Sequence, residues 1–135
     1  MFFIAKILGG RQNVPETLEL PVTGGTTYTL GEALVVTSGK LAKASGDVQV
    51  KYIALETYAA PATGARKLKC FRVMPDQLFE VPTSAAPTSL AVGGKVTIST
   101  TGLEVTATAA SDYGAEIVDL LGAAKTGDKI QVVLR

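Results

Sequence analysis

Ala33-Leu34-Val35-Val36-Thr37-Ser38-Gly39-Lys40-Leu41-Ala42-Lys43-Ala44 decides the fold class. Two β-prone runs flank Ser38-Gly39, a two-residue connection in which glycine supplies a positive φ. A short tight turn between apolar runs is a hairpin, and the same grammar recurs along the chain. Tyr52-Ile53-Ala54-Leu55-Glu56 reads as a third strand after the turn at Ser45-Gly46-Asp47. Arg66 to Val73 alternates cleanly, with Leu68 and Cys70 facing one side and Lys67 and Lys69 the other. Gln77-Leu78-Phe79-Glu80-Val81 then closes a first β unit.

A fainter copy follows. Leu30 to Ser38 lies over Val92 to Thr100 without a gap, and at the same offset Arg66 to Phe71 lies over Asp128 to Val133. Identities are few, but the apolar–polar alternation is shared. Two similar substructures give this pattern, and so does the loose match of any two strand-turn-strand pieces. The second unit reads as strands at Lys95–Ser99, Leu103–Ala107, Glu116–Leu121 and Asp128–Leu134. Thr88 to Val92 fits one helical turn, the single short helix allowed. Asp119-Leu120-Leu121-Gly122 is too short to stand as another. Pro82 to Pro87, rich in proline, serine and alanine, reads as a linker. The expected architecture is one all-β domain, a small barrel-like or sandwich-like body of short strands. It divides into residues 1–25, 26–82 and 83–135, the last two units packed together.

Residues 1–25 differ from the rest. Phe2, Phe3, Ile4, Ile7 and Leu8 concentrate apolar surface in a short segment broken by Gly9-Gly10-Arg11-Gln12-Asn13. One reading is a first core strand; the other is an extended arm that adds to a partner's sheet edge. Thr17-Leu18-Glu19-Leu20, bounded by Pro15 and Pro21, belongs at a sheet edge or in that arm, because proline cannot donate to a ladder. Lys6 interrupts the apolar run and no cleavage-site pattern follows, so the expectation is a soluble chain outside the ordinary signal route.

The 135 residues carry 13 Lys+Arg against 12 Asp+Glu. That balance gives no domain-wide field for nucleic acid or an anionic membrane. There is no histidine and one cysteine, Cys70. The usual general base and a structural zinc site are both missing. An intramolecular disulfide is impossible, and Cys70 reads as a small buried hydrophobe. Asp47, Asp76, Asp112 and Asp128 sit in turns, where aspartate ordinarily bonds its own backbone. No catalytic, cofactor-binding or metal-ligating set is assigned.

Tyr28-Thr29-Leu30-Gly31-Glu32-Ala33-Leu34, Gly39-Lys40-Leu41-Ala42-Lys43-Ala44-Ser45-Gly46-Asp47 and Tyr52-Ile53-Ala54-Leu55 resemble the capsid decoration, or cement, proteins of tailed bacteriophages. Val92 to Val96 and Gly127 to Val132 are similar to the second half of that group, so the resemblance spans residues 26 to 135. It implies a small β-barrel or β-tulip domain that is no enzyme and needs no cofactor. Such a protein is made in the host bacterial cytoplasm and ends on the outer surface of the virion. It forms homotrimers and ties neighbouring major capsid protein subunits together, often through an N-terminal arm. It takes no nucleic acid, membrane or small-molecule substrate. Phe2, Phe3, Ile4, Ile7 and Leu8 are the expected capsid-binding residues. A tail or fibre-base component is the second reading, and a carbohydrate-active hydrolase a distant third.

Overall fold

The computed structural model describes residues 1–8 and 15–135, and among these it is all-β with no α-helix. The strands are β1 (Phe3–Ile7), β2 (Thr17–Leu20), β3 (Thr27–Tyr28), β4 (Ala33–Thr37), β5 (Lys40–Lys43), β6 (Tyr52–Ala54) and β7 (Tyr58–Ala59). There follow β8 (Leu68–Arg72), β9 (Gln77–Pro82), β10 (Lys95–Ile98), β11 (Val105–Ala109), β12 (Ala115–Asp119) and β13 (Lys129–Leu134). The β4–β5 hairpin forms as its sequence requires, with Ser38 at φ 50° and Gly39 at φ 76° and Thr37 paired to Lys40. The break at Gly9 to Asn13 lies outside the described residues.

Five strands form one antiparallel sheet in the order β2-β8-β6-β4-β5, and six form another in the order β1-β9-β13-β12-β10-β11. Replacing β2, β8, β6, β4 and β5 by β9, β13, β12, β10 and β11 reproduces the order. The faint copy in the sequence is therefore a repeated topology. Register agrees as well: Leu18 and Leu20 face Cys70 and Leu68, as Phe79 and Val81 face Val132 and Ile130. In each repeat the chain leaving the first strand, β2 or β9, makes one parallel bridge to the last, Val22 to Leu41 and Thr83 to Val105. A single bridge curls the sheet without a continuous ladder, so neither sheet is a closed barrel.

The repeat moves two boundaries. β9 begins the second unit instead of closing the first, because its partner is β13. Residues Pro82 to Pro87 are not a linker: Thr83 is fully buried, and the Ser84 N–H donates to the Val105 carbonyl at 2.8 Å. The expected helical turn after Thr88 is replaced by a Pro87–Leu90 turn. Tyr58-Ala59 pairs with Thr27-Tyr28 as a two-stranded ribbon over the first sheet.

Burial explains why these strands hold. Leu34, Leu41, Ala54, Leu68 and Cys70 pack on one side of the first sheet with Val22 and Tyr28. The Tyr28 hydroxyl donates to the Leu41 carbonyl at 2.7 Å, which satisfies its buried polar end. Burial pushes the Cys70 thiol up to about 11, so it is neutral and packs as a hydrophobe. The other face of that sheet supplies Ala33, Ile53 and Phe71 to the core of the second, where they meet Phe79, Val96, Ile117, Ile130 and Val132. Phe71 and Phe79 stack across the join at 6.2 Å with nearly parallel rings.

Candidate interaction surface

The N-terminal segment is an edge strand in this structure and not a free arm. β1 pairs antiparallel with β9, Phe3 opposite Glu80 and Ile4 opposite Phe79. Phe2 is 2% exposed and meets Phe79 edge-on at 6.2 Å, which anchors the segment. Its N–H donates to the Gly31 carbonyl at 2.8 Å. Gly31 has φ +77° and lies beneath the Met1 side chain, where a Cβ would overlap Met1 Cγ. A side chain there would both strain the turn and expel Met1.

Beside β1 lies an apolar groove of about 390 Å³. Ile53, Ala54 and Phe71 form its floor, Phe3, Leu30 and Leu55 its rim, and Pro15 and Thr17 one end. Among the described residues no charged side chain lines it. Phe3 is 63% exposed, Leu30 43% and Leu55 40%. Three large apolar side chains left in water around one recess distinguish a docking surface from scattered exposed leucines.

Of the five residues expected at a capsid contact, Phe2, Phe3 and Ile4 line this groove, with Phe2 as a buried support and Phe3 as the outward group. Ile7 and Leu8 do not line it. Ile7 pairs with Gln77, and the Leu8 N–H donates to the Asp76 carbonyl at 2.6 Å. Leu30, Leu55 and Phe71 were not anticipated. The one sequence signal for Leu55 was its spacing from Ile53, which puts both on one face of an extended chain. Leu30 sits in a turn, where no periodicity applies.

The joint under the groove carries the chain's most unusual charge. Glu32 is fully buried, and its Oε2 accepts from the Thr29 N–H at 2.7 Å. Oε1 has no hydrogen-bond partner and faces Lys43 Nζ at 3.5 Å. Desolvation raises its pKa above the ordinary carboxylate value, opposed by the Thr29 hydrogen bond and the Lys43 charge. The Glu32 carbonyl accepts from Ala54, and Ala33 donates to Gly102, so this turn ties the groove floor to the second unit.

Asp47 departs from its expected role. Its carboxylate bonds not its own turn but a distant loop, accepting from the N–H groups of Ser111, Asp112 and Tyr113 and from the Ser111 hydroxyl. Those donors depress its pKa to about 2. Asp128 follows the expectation, accepting from Ala124 and Lys125 within its own turn. Arg66 is held by Glu56 at 2.7 Å and lies 4.0 Å over the Tyr58 ring, and Lys67, Lys69 and Arg72 beside it are exposed. Among the described residues no cluster of acidic or cysteine side chains has metal-binding geometry. No helix among them is long and apolar enough to cross a membrane. No family model matches the chain, and a search of curated proteins finds no match either.

Proposed function

We propose that this is a structural protein of a tailed-phage virion, a cement protein that binds the outer surface of the mature capsid and cross-links neighbouring major capsid subunits, acting as a homotrimer. Its place is then the virion exterior, after synthesis in the host cytoplasm. The observation that carries this reading is the apolar groove rimmed by Phe3, Leu30 and Leu55 beside the edge strand β1. A rigid β body with an apolar recess suits the holding of another protein's segment, where buried aromatic and aliphatic anchors dominate the energy. The resemblance of Gly31-Glu32-Ala33-Leu34 and Gly39 to Asp47 to the cement proteins supports the major capsid protein as the partner. Several weak contacts per trimer sum to firm attachment through multivalency.

The test is to mix purified protein with expanded heads that lack it, then measure co-sedimentation and the temperature at which heads rupture. Wild-type protein is expected to bind and to raise that temperature. Phe3→Asp is expected to weaken binding roughly tenfold or more while leaving thermal unfolding unchanged, since Phe3 is exposed. Absence of binding to every capsid form overturns the proposal. Equal binding by Phe3→Asp removes the groove from it.

A further inference from the structure

The internal repeat is unequal at one place. In the six-stranded sheet, β1 lies outside β9; in the five-stranded sheet, β2 holds the position of β9 and no strand among the described residues lies outside it. The Glu16 carbonyl accepts from the Arg72 N–H at 2.9 Å, so Leu18 and Leu20 make the ladder bonds to Cys70 and Leu68. Antiparallel alternation then points the N–H and C=O of Thr17 and Glu19 away from β8, and both residues are exposed. Among the described residues there are thus two equivalent acceptor edges and one donor strand.

We propose that the outer edge of β2 is a strand-acceptor site for an extended segment of another polypeptide, added antiparallel as β1 is added to β9. The internal precedent fixes the chemistry of the occupant: about five residues, apolar at most positions and uncharged where it enters the groove, like Phe3-Ile4-Ala5-Lys6-Ile7. The groove reaches β2 at Thr17, which is paired with Phe71, so side chains on one face of the added strand meet an apolar recess. A second copy's own β1 is the poorer donor, because it would have to leave β9 and withdraw the buried Phe2. This inference rests on reading the groove as a docking surface, and it is independent of the capsid as the partner.

The experiment adds a synthetic peptide, Phe3 to Ile7 flanked by solubilising lysines, to the full chain and follows amide hydrogen exchange. Slowing of exchange at Thr17 and Glu19 by about tenfold or more is expected, with β1 amides unchanged. Glu19→Pro removes one outward N–H without touching the ladder to β8 and is expected to weaken peptide binding roughly tenfold or more. Its unfolding midpoint serves as the control for folding. Protection confined to β9, where the peptide displaces β1, overturns the proposal, as does no protection at Thr17 and Glu19. A free protein that is already oligomeric with those two amides protected also overturns it, in favour of a second copy as occupant. Head binding retained in any of these cases leaves the capsid reading standing.

Discussion

Glu32 shows what a single buried carboxylate does to this fold. Its pKa is raised in the folded state, so the native protein binds a proton more tightly than the unfolded chain does. The stability contributed by this group is full below the unfolded value of 4.5 and is lost as pH rises through the folded value. Asp47, Glu56 and Asp128 act with the opposite sign, since their lowered values make stability fall as pH drops below the ordinary carboxylate range. The two effects separate, and stability is expected to decline as pH rises above 4.5 through Glu32. Glu32→Gln is expected to flatten that decline, whatever it does to absolute stability, and Lys43→Ala to steepen it by removing the neighbouring cation. Urea unfolding across this pH range measures both slopes. An unchanged slope in Glu32→Gln would show that the joint does not titrate. None of this was legible in the sequence, where Glu32 is one acid among twelve and its desolvation comes from residues far along the chain.

At the scale of elements, the sequence was most readable where structure is local. The Ser38-Gly39 hairpin, the Leu68/Cys70 alternation and the proline-bounded edge strand at Thr17 each follow from a few adjacent residues. Partner choice was less readable. β9 looked like the end of the first unit because nothing in Gln77 to Pro82 records that it pairs with Ile130 and Val132. In the second hairpin β10 begins at Lys95 as expected, while β11 begins at Val105, two residues late, and its pairing with β10 shifts register between Val96 and Ile98. At the groove, Phe3 was anticipated from its apolar neighbours, while Leu30 was not, because its exposure is decided by the fold around it. The hairpin also offers a test of local chemistry. Ser38 is a non-glycine residue at φ 50°, the first central position of a turn with positive φ at both positions. Asparagine tolerates that conformation better, and Asn-Gly is the favoured pair there. Ser38→Asn is expected to stabilise the protein by about 0.5 kcal/mol, read as a higher denaturation midpoint at unchanged slope. A lower midpoint would mean that the Ser38 conformation carries no strain.

For the whole molecule, the question is whether a repeated topology means two independent units. The packing argues against it. Each repeat is close to sixty residues, a size at which one hydrophobic core is marginal. Here one face of the first sheet gives Ala33, Ile53 and Phe71 to the core of the second, and β1 crosses to the second sheet before the first begins. The Glu32 turn and the Asp47 clamp add polar ties in the same direction, binding the first repeat to Gly102 and to the Ser111–Tyr113 loop. Unfolding should therefore be one cooperative event. Phe79 is the decisive side chain, fully buried between Phe2 and Phe71 at the join of the two sheets. Phe79→Ala is expected to cost about 3–5 kcal/mol, and both repeats are expected to melt together at the lowered midpoint. Near-ultraviolet circular dichroism reports on the aromatic residues at the join and in the first repeat. Amide exchange at Val96 and Ile117 reports on the second. Coincident transitions in the wild type and the variant fit a single folding unit. If Phe79→Ala instead melts the second repeat while Leu34, Leu68 and Cys70 stay protected, the first sheet folds alone and the shared core is an accessory to it.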